Sequence, residues 1–105
     1  TSEQVIQESY EIGRFVYEPQ IHKLSFGAEK IKLSSKENAL LLALVSNQGQ
    51  LVNRKEMLQN IWGSTDEFSR NSMDVFVSKL RKYLKRDERI KIQNVHSKGF
   101  ILEVE

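Results

Sequence analysis

The chain has 105 residues, with 16 Lys and Arg, 14 Asp and Glu, two His, one Pro, no Cys and a formal net charge of +2. That length fits one domain able to bury roughly two-thirds of its surface, and the lack of Cys excludes a disulfide scaffold, a Cys-ligated zinc site and a thiol nucleophile. No apolar run approaches the about 18 residues of a membrane span and no basic-then-apolar leader opens the chain, so the expectation is a cytoplasmic, unexported protein with no membrane partner.

Residues 1–9, TSEQVIQES, are polar and read as a linker remnant ahead of a domain over 10–105. Short alternating runs follow. Tyr10 and Ile12, Phe15 and Tyr17, Leu24 and Phe26, Ile31 and Leu33 each alternate with polar neighbours, which predicts three or four short strands with one buried face. Pro19 interrupts the series and Gly27 starts a turn. The intervals are too short for crossover helices, so the strands should be antiparallel hairpins.

Three helices are expected next. Ser34 and Glu37 have capping-box spacing ahead of the apolar run Ala39 to Val45, which marks a deeply buried first helix. Asn47 and Gly49 stop it, and a tight link leads to Asn53. Asn53 and Glu56 repeat the capping spacing. Met57, Leu58, Ile61 and Trp62 then mark one face of a short second helix, ended by Gly63. The third helix falls at about 69–85. At 100° per residue, Val77, Leu80 and Leu84 lie within about 40° of Met73, with Phe76 about 60° to one side. The opposite face holds Asn71, Val75, Ser78, Lys79, Lys82 and Lys85. Ile90 to Val104 then alternates as a hairpin around a turn at about 94–99, where Gly99 can adopt positive φ.

The net charge is small but focused. Residues 69–86 carry Arg70, Lys79, Arg81, Lys82, Lys85 and Arg86 against Asp74 alone. A basic helix followed by a hairpin suggests an α+β winged helix-turn-helix, whose third helix fits a major groove about 12 Å wide. Asn71, Ser78, Lys79 and Lys82 supply donors on the groove-facing side. Val75 either meets a thymine methyl there or packs against the preceding loop. Arg81 reaches a phosphate or lies back over the core edge. Asp74 should orient Arg81 or a neighbouring cation, or favour the helix start. Arg54, at the start of the second helix, is expected to anchor a phosphate. Trp62 is expected as a core aromatic whose N–H needs a partner. At the hairpin tip, Lys98 suits a phosphate and His96 is a second candidate contact.

These pieces together resemble the C-terminal DNA-binding domain of OmpR/PhoB-type response regulators. The resemblance spans about residues 10–104. It rests on Leu33-Ser34-Ser35-Lys36-Glu37, Leu51-Val52-Asn53-Arg54, Ile61-Trp62-Gly63, the run Ser72 to Lys82, and Ile92 to Phe100. It implies a four-stranded N-terminal antiparallel sheet, three helices and a C-terminal β-hairpin wing. It also implies transcription regulation in a two-component system, with a dimer on direct-repeat double-stranded DNA and contact with RNA polymerase. Base-reading positions carried over from the resemblance are Val75, Ser78, Lys79 and Lys82. Phosphate positions are Arg54, Trp62, Asn71, Ser72 and Arg81, with the wing contacts at His96 and Asn94. The polymerase-contact loop runs from Gly63 to Ser69 and holds Asp66, Glu67 and Phe68. There Phe68 either faces a protein partner or tucks under the loop.

The chain departs from the family pattern at several points. Asn71 stands where the family usually has Arg, and the adjacent Arg70 is the substitute. Ser78 replaces a frequently basic residue, Phe76 a His, His96 the wing Arg, and Ser97 the following Gly. The family's phosphorylatable receiver domain has no counterpart in these residues, which carry only Asp66, Asp74 and Asp87 as aspartates. An enzyme is not expected, because no metal-spaced His pair, Gly-rich phosphate loop or carboxylate dyad is present, and no cofactor is called for. The competing reading is a winged helix used as a protein-interaction module. An apolar outer face on the third helix would favour that module, and a basic one favours DNA.

Overall fold

The computed structural model describes residues 9–105. The linker reading of residues 1–9 thus lies outside the described residues, apart from Ser9. Four strands open the fold: β1 (Tyr10–Ile12), β2 (Phe15–Glu18), β3 (Lys23–Phe26) and β4 (Glu29–Lys32). They pair in sequence order as an antiparallel meander. The period-two pattern sends Ile12, Phe15, Tyr17 and Leu24 into the core. Phe15 stands opposite Phe26 in the register, with ring centroids 4.7 Å apart. Pro19 presets the single 3-10 turn (Pro19–Ile21) between β2 and β3.

Helix α1 (Ser35–Ser46) starts at the expected capping box. The Ser34 hydroxyl accepts from Glu37 N–H at 3.3 Å, and the Glu37 carboxylate accepts from Ser34 N–H at 2.8 Å. Glu37 is buried, and its second oxygen accepts the Tyr83 hydroxyl at 2.9 Å. One carboxylate therefore caps α1 and bolts it to the third helix. Burial first, then this bond, raises the pKa of the Tyr83 hydroxyl.

The link after α1 holds more than a tight turn. Val52–Asn53 form a short strand, β5, which lies against the second strand of the C-terminal hairpin. Two residues carry too little alternation to be read from sequence. Asn53 then caps the second helix, α2, accepting from Glu56 N–H at 3.1 Å. This helix is α-helical over Arg54–Met57 and π-wound over Leu58–Trp62. It closes at Gly63, which has φ +73°.

The third helix, α3 (Glu67–Leu84), begins two residues before the expected start. Asp66 caps it, its carboxylate accepting from Ser69 N–H at 2.8 Å. Hydrogen bonds from the Ser69 backbone and side chain hold the Asp66 carboxyl below its usual pKa. Glu67 and Phe68 therefore belong to the first helical turn and not to a loop. Both are exposed, so they add nothing to the apolar period from which the start was judged. Met73, Val77, Leu80 and Leu84 are buried as a stripe, with Phe76 half-buried at its side.

The closing hairpin is β6 (Ile90–Val95) and β7 (Gly99–Val104), in a three-stranded sheet of order β5-β7-β6. Asn94 thus lies in a strand, and the turn is narrower than expected. Ser97 takes the left-handed conformation at φ +62°, a role expected of Gly99. Gly99 is needed for another reason. A Cβ there would stand 2.0 Å from the Val52 carbonyl oxygen, where β7 presses on β5.

Asp87 joins the two sheets. Its buried carboxylate accepts from the backbone N–H of Arg14 at 2.8 Å and of Arg89 at 3.0 Å, and pairs with the Arg89 guanidinium. The Arg89 bonds lead in lowering its pKa to about 2. A carboxyl depressed from an unfolded value of about 3.9 contributes stability at neutral pH. That contribution is complete above about pH 4 and is lost as pH falls toward about 2. Urea unfolding at pH 7 and pH 2.5 should show a loss of stability in the wild type and a smaller acid loss in Asp87→Asn. Gly99→Ala should destabilise the domain by about 3 kcal/mol, read from the same titration at pH 7.

Candidate nucleic-acid interface

Helix α3 has 18 residues, so it is about 27 Å long. Its buried stripe turns the opposite face outward. Arg70, Asn71, Asp74, Val75, Ser78, Lys79, Lys82 and Lys85 are all exposed there. Val75 is 55% exposed, so it does not pack against the preceding loop. Lys79 leans along the helix with its ammonium 5.1 Å from the Phe76 ring centroid. The outer face is therefore basic and donor-rich, with one apolar side chain among the donors. Burial of Met73, Val77, Leu80 and Leu84 fixes which residues face outward, because helical geometry allows no independent choice.

Trp62 is half-buried at the end of α2. Its ring meets Phe76 at 5.9 Å between centroids, and the Lys36 ammonium lies 5.3 Å from its ring centroid. The indole N–H donates to the Ser72 hydroxyl at 3.2 Å. Two residues expected at phosphates thus bond each other. Ser72 accepts that bond, which leaves its own hydroxyl proton to donate elsewhere. Arg70 is exposed beside them, its guanidinium 3.5 Å from the Thr65 carbonyl oxygen.

Arg81 lies back over the core edge. Its Nε and Nη2 donate to the Ile92 carbonyl oxygen of β6 at 3.1 and 2.8 Å. Asp74 pairs with Arg54, not Arg81, at 2.8 Å. The Arg54 guanidinium also lies 5.7 Å from the Phe100 ring centroid, on the wing. Neither partnership is visible in the sequence. The Arg54–Asp74 pair spans 20 positions, and the Arg81 partner is a backbone carbonyl. At the tip of the hairpin, His96, Ser97 and Lys98 are exposed, and Asn94 is exposed near the end of β6. A cleft of about 450 Å³ runs between α3 and this wing, lined in part by Arg54, Arg70, Asp74, Ser78 and His96.

Among the described residues, no helix is long and apolar enough to cross a membrane. No group of three or more His, Asp or Glu side chains among them is placed to hold a metal ion.

Residues 28–102 match the family described as "Transcriptional regulatory protein, C terminal". This chain belongs to that family, whose domains bind DNA in transcription regulation by OmpR/PhoB-type response regulators. Such domains are not a class of enzyme. The transcriptional regulatory protein RprY of Bacteroides fragilis is 40% identical over 93 residues, covering 89% of this chain and 39% of RprY. Response regulator ArlR of Staphylococcus aureus is 31% identical over 81 residues, covering 76% of this chain and 37% of ArlR. The chain therefore spans about two-fifths of the length of these bacterial relatives. Among solved structures, the Klebsiella pneumoniae RstA DNA-binding domain in complex with the RstA box is 29% identical, with a TM-score of 0.73. That likeness covers 92% of this chain and 98% of the RstA domain. The DNA-binding domain of Escherichia coli CpxR shares the fold at a TM-score of 0.79 and 23% identity, over 91% of this chain and 96% of that one.

The Trp62–Ser72 bond has a direct check. Trp62→Phe keeps a ring against Phe76 and removes the indole donor. Thermal unfolding should show a loss of about 1 kcal/mol, the net worth of one such bond.

Proposed function

We propose that this domain reads double-stranded DNA by sequence, with α3 in the major groove and the hairpin wing at the adjacent minor groove. The observation that carries the reading is the outward face of α3. It presents lysines, Asn71 and Ser78 around an exposed Val75, while four apolar side chains anchor the other side. Val75, Ser78, Lys79 and Lys82 are the base-reading set. Lysine offers donors to guanine O6 and N7, and valine offers an apolar surface to a thymine methyl. Arg70, Asn71 and Ser72, with Trp62 behind Ser72, are the phosphate set at the start of the helix. Lys98 meets a phosphate from the wing, and His96 and Asn94 face the minor groove. Arg54 and Arg81 hold protein partners and contribute by fixing the angle between helix and wing.

The same reading places the domain at 10–105 and makes it the output half of a two-component response regulator. The rest of such a protein would be a receiver domain, and the whole would act in the cytoplasm as a dimer on direct-repeat half-sites. RNA polymerase is the protein partner. Phe68 is 78% exposed at the first turn of α3, beside Glu67 and the Asp66 cap, and suits a protein contact next to bound DNA.

Binding of a random duplex pool across a salt series tests the reading. About four phosphate contacts per domain predict a log–log slope near −4, with a directly repeated motif enriched among the retained DNA. A flat salt response would make α3 the face of a protein-interaction module instead. Lys79→Ala should cost about 1–3 kcal/mol on the enriched motif and relax preference at one base pair. Phe68→Ser should leave duplex affinity unchanged and reduce transcription from that motif in a reconstituted polymerase assay.

A further inference from the structure

Beyond the first turn, where Glu67 lies, Asp74 is the one acid on the exposed face of α3, and its side chain is 55% exposed. A carboxylate on a surface that meets phosphates repels them unless it is neutralised. Its partner is held from three sides. The Arg54 guanidinium donates to the Asp74 carboxylate at 2.8 Å and lies against the Phe100 ring. The Arg54 backbone N–H donates to the Lys98 carbonyl oxygen at 2.8 Å. Its side chain is only 21% exposed. One residue thus ties the start of α2, helix α3 and the β7 end of the wing turn. The guanidinium is thus held in place by a ring and a carboxylate, and its charge is offset by Asp74.

We propose that Asp74 is a positioning residue for DNA recognition. Its carboxylate locks Arg54, and through Arg54 the wing, against α3, and the duty of Arg54 is to neutralise Asp74 and hold that geometry. The proposal rests on the DNA-binding reading. It assigns opposite errors to the two single losses. Without Arg54, a bare carboxylate faces the incoming backbone beside Arg70 and His96. Without Asp74, Arg54 is released as a roaming cation that grips any sequence while the wing loses its fixed angle.

A double-mutant cycle on the 105-residue chain tests this. Arg54→Gln, Asp74→Asn and the double variant are measured on the motif enriched from the random pool and on random duplex, each across salt. Thermal unfolding of each confirms the fold. Arg54→Gln should weaken motif binding about tenfold while leaving the salt slope unchanged. Adding Asp74→Asn to that variant should restore about fivefold or more. In the wild-type background, Asp74→Asn should instead lower the ratio of motif to random affinity. Equal factors for Asp74→Asn in both backgrounds, with a slope that falls by about 0.9 in Arg54→Gln, would make Arg54 an independent phosphate anchor and overturn the proposal. If Arg54→Gln does not fold, Asp74→Asn alone decides: tighter motif binding at an unchanged ratio overturns it. A wild-type chain with no duplex affinity overturns the proposed function and this inference together, whereas wild-type binding with an additive cycle overturns this inference alone.

Discussion

The apolar stripe of α3 is the constraint on which the rest of the structure depends. Met73, Val77, Leu80 and Leu84 must leave water together, because each is worth about 1.5–3 kcal/mol when buried. A rigid helix that buries one stripe has no freedom over the other. The exposure of Val75, Ser78, Lys79 and Lys82 is therefore a consequence of packing. The core sets the rotation of α3, and the bolt from Glu37 to Tyr83 sets its position against α1.

The wing is placed by different forces. It has little apolar surface of its own at the tip, and backbone pairing and arginines hold it. Gly99 lets β7 lie close against β5, and Arg54 and Arg81 reach from helices to the hairpin. Both arginines donate to partners within the protein. A pair of charged groups with fixed partners defines an angle better than a hydrophobic contact, which tolerates sliding. Helix and wing thus form one surface with a cleft between them. That suits a ligand as regular and stiff as a duplex.

Much of this was legible from residue order. The Ser34 and Glu37 capping box, the Asn53 cap, the stripe of α3 and the alternation of the four N-terminal strands are local patterns, and local patterns survive in sequence. The failures share a cause. β5 is two residues long and exists only because β7 offers it partners. The first turn of α3 is exposed, so the apolar period is silent there and only the Asp66 cap marks it. The positive φ falls on Ser97, while Gly99 serves the close approach of β7 to β5.

The sequence by itself determined the class of fold, the rotation of the third helix and the concentration of positive charge upon it, since each depends on side chains within a few turns of one another. Only the tertiary structure decided which arginines pair within the protein. Arg54 and Arg81 look like any other surface arginine in the sequence, yet one pairs with Asp74 beside Phe100 and the other with the Ile92 carbonyl. The physical reason is reach. A guanidinium on a long stem finds its partner across space, and residues 20 positions apart, or a backbone carbonyl common to every residue type, leave no mark on the pattern.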